Sequence, residues 1–364
     1  MTDRTQVGRG AGRRTPPAYV LSVRAVVFDR PAGPLEVREL PDPVAPADGA
    51  VVRVEATGVC RSDWHGWRGH DPDIMLPHVP GHEFAGTAVE VGRDVRGWAP
   101  GARVTTPFVN ACGVCASCRA GDGQVCPDQT QPGFTRAGSF AEYVVVDRAD
   151  TNLVALPEGL SAVAAASLGC RFATAYRAVV AHGRPRPGDW VVVHGCGGVG
   201  LAAVMVARSR GARVVAVDVD PRALAAAAGF GAEATLTPPT ADAVRELTGG
   251  GAHVSLDAIG HAATVADAIA GLRTRGRHVQ VGLLAADDAW PRVDLGRVLA
   301  AELEVLGSHG MAAVDYPAML ADVTSGRLDP SRLVARTVGL DDAPAALAGL
   351  GDADRPAGVT VVVP

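Results

Sequence analysis

The chain contains no lysine: all 34 of its basic residues are arginines. That absence excludes a Schiff-base lysine and a phosphate-loop lysine as reactive groups, and genome composition accounts for it better than function does. A basic field is missing too. The 39 acidic residues outnumber the arginines and leave a formal net charge of −5, so nucleic acid is not an expected partner. No apolar run approaches the ~18–20 residues that span a bilayer, so no membrane partner is expected. Cysteine is sparse and odd in number, seven in 364 residues, with four of them between positions 112 and 126. Such clustering reads as metal ligation in a reducing compartment rather than as a disulfide framework, and a cytoplasmic location follows as the expectation.

What is present suits an ordinary enzyme-sized chain. A length of 364 residues with 48% hydrophobic residues allows two domains, each with a core. Residues 1–22 read as a disordered leader. Arg13-Arg14 ahead of an apolar stretch resembles a twin-arginine export signal, but Arg24, Asp29 and Arg30 interrupt that stretch and no small-residue cleavage site follows.

The chain is organised around Gly195-Cys196-Gly197-Gly198-Val199-Gly200. An apolar run, Trp190 to His194, precedes it and a helix-like run, Leu201 to Arg210, follows. A second apolar run, Arg213 to Val217, ends on Asp218. Strand, tight turn, helix, strand and acid is the context a dinucleotide-binding glycine motif requires. Gly195 makes the turn, Gly197 lets backbone approach a pyrophosphate, and Gly200 lets helix and strand pack closely. The free N–H groups at the helix start favour an anion. Alternating helices and strands continue to about residue 309, which predicts a doubly wound parallel sheet of six strands over 171–309.

The first half is different. Short apolar alternations separated by Pro- and Gly-rich turns predict a small barrel-like β domain without helices. The tail from Gly310 is expected to return to it. Within this half, Cys112, Cys115, Cys118 and Cys126 have the spacing C-x2-C-x2-C-x7-C. Four thiolates this close can wrap one ion tetrahedrally. Zinc prefers such a closed sulfur set, with an iron–sulfur cluster as the alternative. A closed set leaves no open coordination position, so it stabilises a lobe, about residues 108–130, rather than catalysing.

Four motifs in order, Gly58-Val59-Cys60-Arg61-Ser62-Asp63-Trp64-His65, Gly81-His82-Glu83, the four-cysteine cluster, and Gly195–Gly200 with Asp218, resemble the zinc-dependent alcohol dehydrogenases of the medium-chain dehydrogenase/reductase family. The resemblance runs from about Val23 to the end. It implies an α/β architecture: a GroES-like β-barrel catalytic domain over 23–170 and 310–364, and a Rossmann NAD-binding domain over 171–309. It further implies a catalytic zinc on Cys60, His82 and Cys170, which would leave a fourth position for water or substrate. The family pattern adds a proton relay through Ser62 and His65, and Asp63 as the carboxylate that orients His82. Glu83 becomes an acid beside the zinc, with a structural ion pair as its alternative role.

For the cofactor, the resemblance places Gly195, Gly197, Gly198, Val199 and Gly200 on the pyrophosphate, with Arg61 beside it. Asp218 falls on the adenine ribose, which favours NAD over NADP. Arg222 lies along the adenosine and keeps NADP open. Thr174 and Val281 face the nicotinamide. Phe108 and Trp67 are expected to line the substrate pocket. Two departures stand out. Only twelve residues separate Cys126 from Ser139, and Cys196 inside the glycine loop places a thiol there that is open to oxidation.

These features predict a two-zinc, NAD-dependent alcohol dehydrogenase. It would interconvert a primary or small secondary alcohol with its aldehyde or ketone, as a homo-oligomer, dimer or tetramer. The alternatives are a biosynthetic reductase of C=C or C=N bonds and a non-catalytic nucleotide-binding protein.

Overall fold

The computed structural model describes residues 22–237, 240–284, 288–352 and 358–364; the expected leader lies almost wholly outside them. Two large sheets divide the described residues. The first has six strands in the order Ala234–Leu236, Arg213–Val217, Trp190–His194, Ala252–Asp257, Leu272–Gln280, Glu304–Gly307, and every pairing is parallel. In chain order this is 3-2-1-4-5-6, the doubly wound arrangement. Its strands are apolar on both faces because both faces are covered. Val191, Val193 and Val214 enter one core with the helix Gly198–Ser209, while Trp190, Val192 and Val215 enter another with Val265 and Ile269.

The second sheet is mixed and lies mostly in the first half. Its strand Ala50–Gly58 pairs antiparallel with Glu83–Val91, with Tyr143–Val146 and with the C-terminal Val359–Val363. The C-terminal strand also pairs parallel with Val334–Gly339, so the tail does return to the β region. A separate hairpin, Ser22–Val27 with Glu36–Pro41, attaches through a bridge between Ala25 and Ala141.

One expectation fails locally. The β half is not free of helices: Arg61–Trp67 is an α-helix that starts immediately after Cys60. It begins there because the Asp63 carboxylate accepts from the Cys60 backbone N–H at 2.9 Å, which satisfies the helix entry. Residues 168–183 run helically with looser π-type winding over Leu168–Phe172 and Ala178–Gly183. Such a bulge rotates side chains relative to an ideal helix, and the first one carries Cys170. No described helix is long and apolar enough to cross a membrane.

Candidate active site

Three elements deliver the central donors. Cys60 stands between the strand Ala50–Gly58 and the helix Arg61–Trp67. His82 stands just before the strand Glu83–Val91. Its turn requires Gly81, whose φ is +105° and where a Cβ would come within 2.5 Å of the Phe140 ring. Cys170 comes from the first π-type turn. Donor atoms of Cys60, His82, Glu83 and Cys170 all lie within 4.8 Å of one another.

Asp63 fixes the histidine. Fully buried, it accepts from His82 Nδ1 at 2.7 Å and from the Gly81 N–H at 3.1 Å. With Nδ1 donating, Nε2 carries the bare lone pair. That Nε2 is buried with no hydrogen-bond partner among the described residues. A lone pair orphaned inside protein is costly, and a metal ion between it and the two thiols resolves the cost. The thiols are already polarised. Cys60 is held well below its ordinary pKa, first by a hydrogen bond from Cys170 and, against burial, by the Arg171 charge. Cys170 is raised well above by giving that bond and by burial. The donor set therefore fits zinc: two sulfurs and one imidazole nitrogen, with room for a fourth ligand.

Glu83 is paired. Arg171 Nε donates to both carboxylate oxygens at 3.0 and 2.8 Å, and the Arg171 backbone N–H adds a third bond at 2.8 Å. Another guanidinium nitrogen donates to the Val59 carbonyl at 2.9 Å. Burial raises the Glu83 carboxyl and the guanidinium counters it. Two glycines make room for this pair. A Cβ at Gly58 would lie 2.7 Å from a Glu83 oxygen, and one at Gly198 would lie 2.4 Å from Arg171 Cδ. Gly198, the loop glycine that the motif does not demand, is thus explained by a residue 27 positions earlier in the chain.

The remaining glycines act as expected of such a loop. Gly195 has φ +90°, and a Cβ at Gly200 would come within 1.7 Å of the Gly195 carbonyl oxygen. Nothing lies within 4 Å of a Cβ at Gly197, which leaves open space over the loop. Asp218 braces the loop from beneath: it accepts from the Cys196 N–H at 2.7 Å and from the Asp220 N–H at 2.9 Å. Arg222 lies in the first turn of the next helix, Pro221–Gly229, and pairs with Asp220 at 3.0 Å. Val199 stands in the first turn of the loop helix, Thr174 is buried near Cys170 in sequence, and the Val281 N–H bonds the Asp257 carbonyl at 3.0 Å. The Cys196 thiol is not open to oxidation. It is buried, and burial followed by the Asp218 charge pushes it up to about 12.

Ser62 and His65 share a face of the helix Arg61–Trp67, being three residues apart, and both are half-buried. Arg61 stacks on the Trp64 ring at 5.0 Å. Two aromatic rings meet the His82 ring. Phe108 meets the His82 ring edge-on at 6.2 Å between centroids, and Phe134, which the motifs did not single out, lies closer at 5.1 Å. Trp67 instead gives its indole N–H to the Gly33 carbonyl at 2.9 Å and packs with Val26, Val59 and Leu340. Arg171, Phe134 and His70 carried no sequence signal beyond proximity to a motif.

The four clustered cysteines converge as their spacing requires. All are free thiols. Sulfur separations are 3.4 Å for Cys115–Cys118 and 3.8 Å for both Cys112–Cys118 and Cys115–Cys126. Backbone N–H groups of Val114 and Cys115 point at the Cys112 sulfur, that of Cys118 at Cys115, and that of Cys112 at Cys126. The Val114 N–H bond is the main reason Cys112 falls to about 6. Donors gathered around sulfur stabilise thiolates, which fits a tetrahedral zinc.

Comparisons agree with this geometry. A family model described as "Alcohol dehydrogenase GroES-like domain" matches residues 46–158, and one described as "Zinc-binding dehydrogenase" matches 198–325. An alcohol dehydrogenase of Geobacillus stearothermophilus is 33% identical over 277 residues, 75% of this chain and 80% of its own length. Alcohol dehydrogenase 1 of Caenorhabditis elegans is 33% identical over 329 residues, covering 88% and 92%. The solved alcohol dehydrogenase TADH of Thermus sp. ATN1 superposes with a TM-score of 0.85 at 34% identity over 93% of this chain and 99% of that one. The chain belongs to the zinc-type medium-chain dehydrogenases/reductases, and it is an alcohol dehydrogenase-like oxidoreductase.

Proposed function

We propose that the protein is an NAD-dependent alcohol dehydrogenase with a catalytic zinc on Cys60, His82 and Cys170 and a structural zinc on Cys112, Cys115, Cys118 and Cys126. The observation that carries this reading is the orphaned, buried Nε2 of His82 set among two thiols and locked by Asp63. Zinc at three protein ligands supplies Lewis acidity to an alcohol oxygen, and the nicotinamide supplies the hydride acceptor.

The chain's own residues do the rest. Asp63 holds His82 in one tautomer. Arg171 occupies Glu83, so its carboxylate does not compete for the open position. Ser62 and His65 take the alcohol proton away, since a hydroxyl both donates and accepts and an imidazole titrates near neutrality. Gly197, Gly198 and Val199 offer backbone N–H groups to the pyrophosphate and Arg61 offers charge. Asp218 has both oxygens anchored on backbone, which aims the carboxylate at ribose hydroxyls and repels a 2′-phosphate. Thr174 and Val281 face the nicotinamide. Phe108 and Phe134 border the substrate, which favours primary or aromatic alcohols. The division into a catalytic domain (23–170 and 310–364) and a nucleotide domain (171–309), a homo-oligomeric state and a cytoplasmic location belong to the same proposal.

The test is nicotinamide absorbance with purified, zinc-replete protein, NAD and a panel of aliphatic, benzylic and polyol alcohols. A rise with some of them is expected. Silence across the panel, with zinc content and NAD binding verified, overturns the alcohol reading in favour of a reductase of C=C or C=N bonds.

A further inference from the structure

The helix Arg61–Trp67 ends in a way that sets a second imidazole against His65. Arg68 closes it, Gly69 follows at φ +82°, and the chain folds back. The Gly69 N–H bonds the Gly66 carbonyl and the His70 N–H bonds the His65 carbonyl, both at 3.0 Å. These are the paired bonds of a Schellman termination, which brings the third residue from the helix end beside the residue just past the glycine. Most helices place two apolar side chains there. Here both are histidines. Their Nδ1 atoms lie 2.9 Å apart, with ring centroids at 5.2 Å. The Trp64 ring packs edge-on against both, at 5.2 Å from His65 and 6.0 Å from His70. His65 is half-buried and His70 is exposed.

Two neutral imidazoles in this contact must share one proton, because one Nδ1 donates and the other accepts. Nε2 of each ring is then left for other partners. We infer that His70 is the outer station of a two-histidine relay, receiving the proton that His65 removes from the site and passing it to solvent. His65 gains a proton at Nε2 and releases its Nδ1 proton to Nδ1 of His70. His70 releases its own Nε2 proton to water. One proton enters, one leaves, and both rings end neutral. The hydrogen bond is left reversed. Between turnovers it resets when His70 takes a proton from water at Nε2 and returns its Nδ1 proton to Nδ1 of His65, whose Nε2 proton leaves to water. In carbonyl reduction the same path runs inward. The charged and titratable groups facing His65 are His70, Arg61 and Cys60. Burial first, then His70 and Arg61, lower its pKa against the pull of Cys60. His70 acts through His65 and is a positioning residue for the relay. This inference rests on the dehydrogenase reading.

Two measurements test it on the full-length, zinc-loaded protein. In 15N-histidine spectra without nicotinamide cofactor, one of the two facing Nδ1 atoms should carry a proton and the other accept it, with a coupling across the hydrogen bond. In His70→Ala that coupling should vanish and the His65 Nδ1 signal should move; no coupling in the wild type and an unmoved His65 signal in the variant overturn the pairing. In alcohol oxidation, His70→Ala should lower kcat by about tenfold below neutral pH, within the range of a lost proton-transfer group. KM should hold within about twofold, and imidazole in the buffer should restore much of the rate. An unchanged kcat–pH profile overturns the relay and leaves the dehydrogenase reading intact. A wild type silent toward every alcohol overturns both, and the cofactor-free spectra then report on the histidine pair alone.

Discussion

Cys170 and Cys115 are chemically alike and mechanically different. Cys170 sits in a turn held by its own helix and by the Arg171–Glu83 pair, whereas Cys115 begins the short helix Ala116–Arg119 whose entry N–H bonds its sulfur. Cys170→Ala is expected to remove one zinc per chain with little change in melting temperature. Cys115→Ala should remove the other and lower the melting temperature clearly. Metal analysis alongside thermal unfolding decides this, and equal destabilisation by both would contradict the separation. Asp218→Ala should shift the NAD-to-NADP ratio of kcat/KM toward NADP by about tenfold, equivalent to ~1.4 kcal/mol; a lowered stability with an unchanged ratio would leave Asp218 as a loop brace only. At this scale the four clustered cysteines were legible from their spacing and Cys60 and His82 from their motifs, whereas Cys170 was joined to them only by the family resemblance. Arg171 and Phe134 were not legible, since each earns its place by contact with residues far away in sequence. Trp67 turns its indole N–H to the Gly33 carbonyl, a direction that an aromatic beside a motif does not reveal.

Among the elements, the loop and its helix make the sharpest contrast. Gly197, Gly198 and Gly200 look equivalent in the sequence, but a methyl group at each meets different surroundings. Gly197→Ala should keep the melting temperature and weaken NAD binding. Gly198→Ala should do both kinds of damage, because Arg171 is tied to Glu83 and cannot retreat freely. Gly200→Ala should mainly destabilise, through collision with the Gly195 carbonyl. Calorimetric NAD titration and thermal unfolding of the three variants check the order; identical behaviour would refute it. The strand–turn–helix was readable since its apolar run, glycines and acid agree with one another. The helix Arg61–Trp67 was not readable. It is seven residues long with Gly66 inside it and Cys60, an uncommon residue, at its start. Only Asp63, reaching back to the Cys60 N–H, signals the entry.

For the molecule as a whole, the central sheet carries an acid liability. His194 ends the strand Trp190–His194, fully enclosed, and burial followed by the His278 charge lowers its pKa from 6.5 to about 3. The folded protein therefore refuses a proton that the unfolded chain accepts. Stability should be complete above the unfolded value, fall by up to ~1.4 kcal/mol per pH unit between the two values, and level off below the folded one. Denaturant unfolding at stepped pH measures this, and His194→Leu should flatten the decline; an unaltered slope would exonerate His194. The six-strand topology and the return of the tail were legible from the alternation of elements, because parallel strands need crossovers and the final apolar run needs a sheet to join. The Glu83–Arg171 pair, boxed in by Gly58 on one side and Gly198 on the other, limits how this protein can be recombined. A nucleotide-binding half, 171–309, taken from a relative would bring its own residues at 171 and 198 against the Gly58 and Glu83 that stay behind. The two halves are therefore not interchangeable cassettes, and a working hybrid must exchange Gly58, Glu83, Arg171 and Gly198 together.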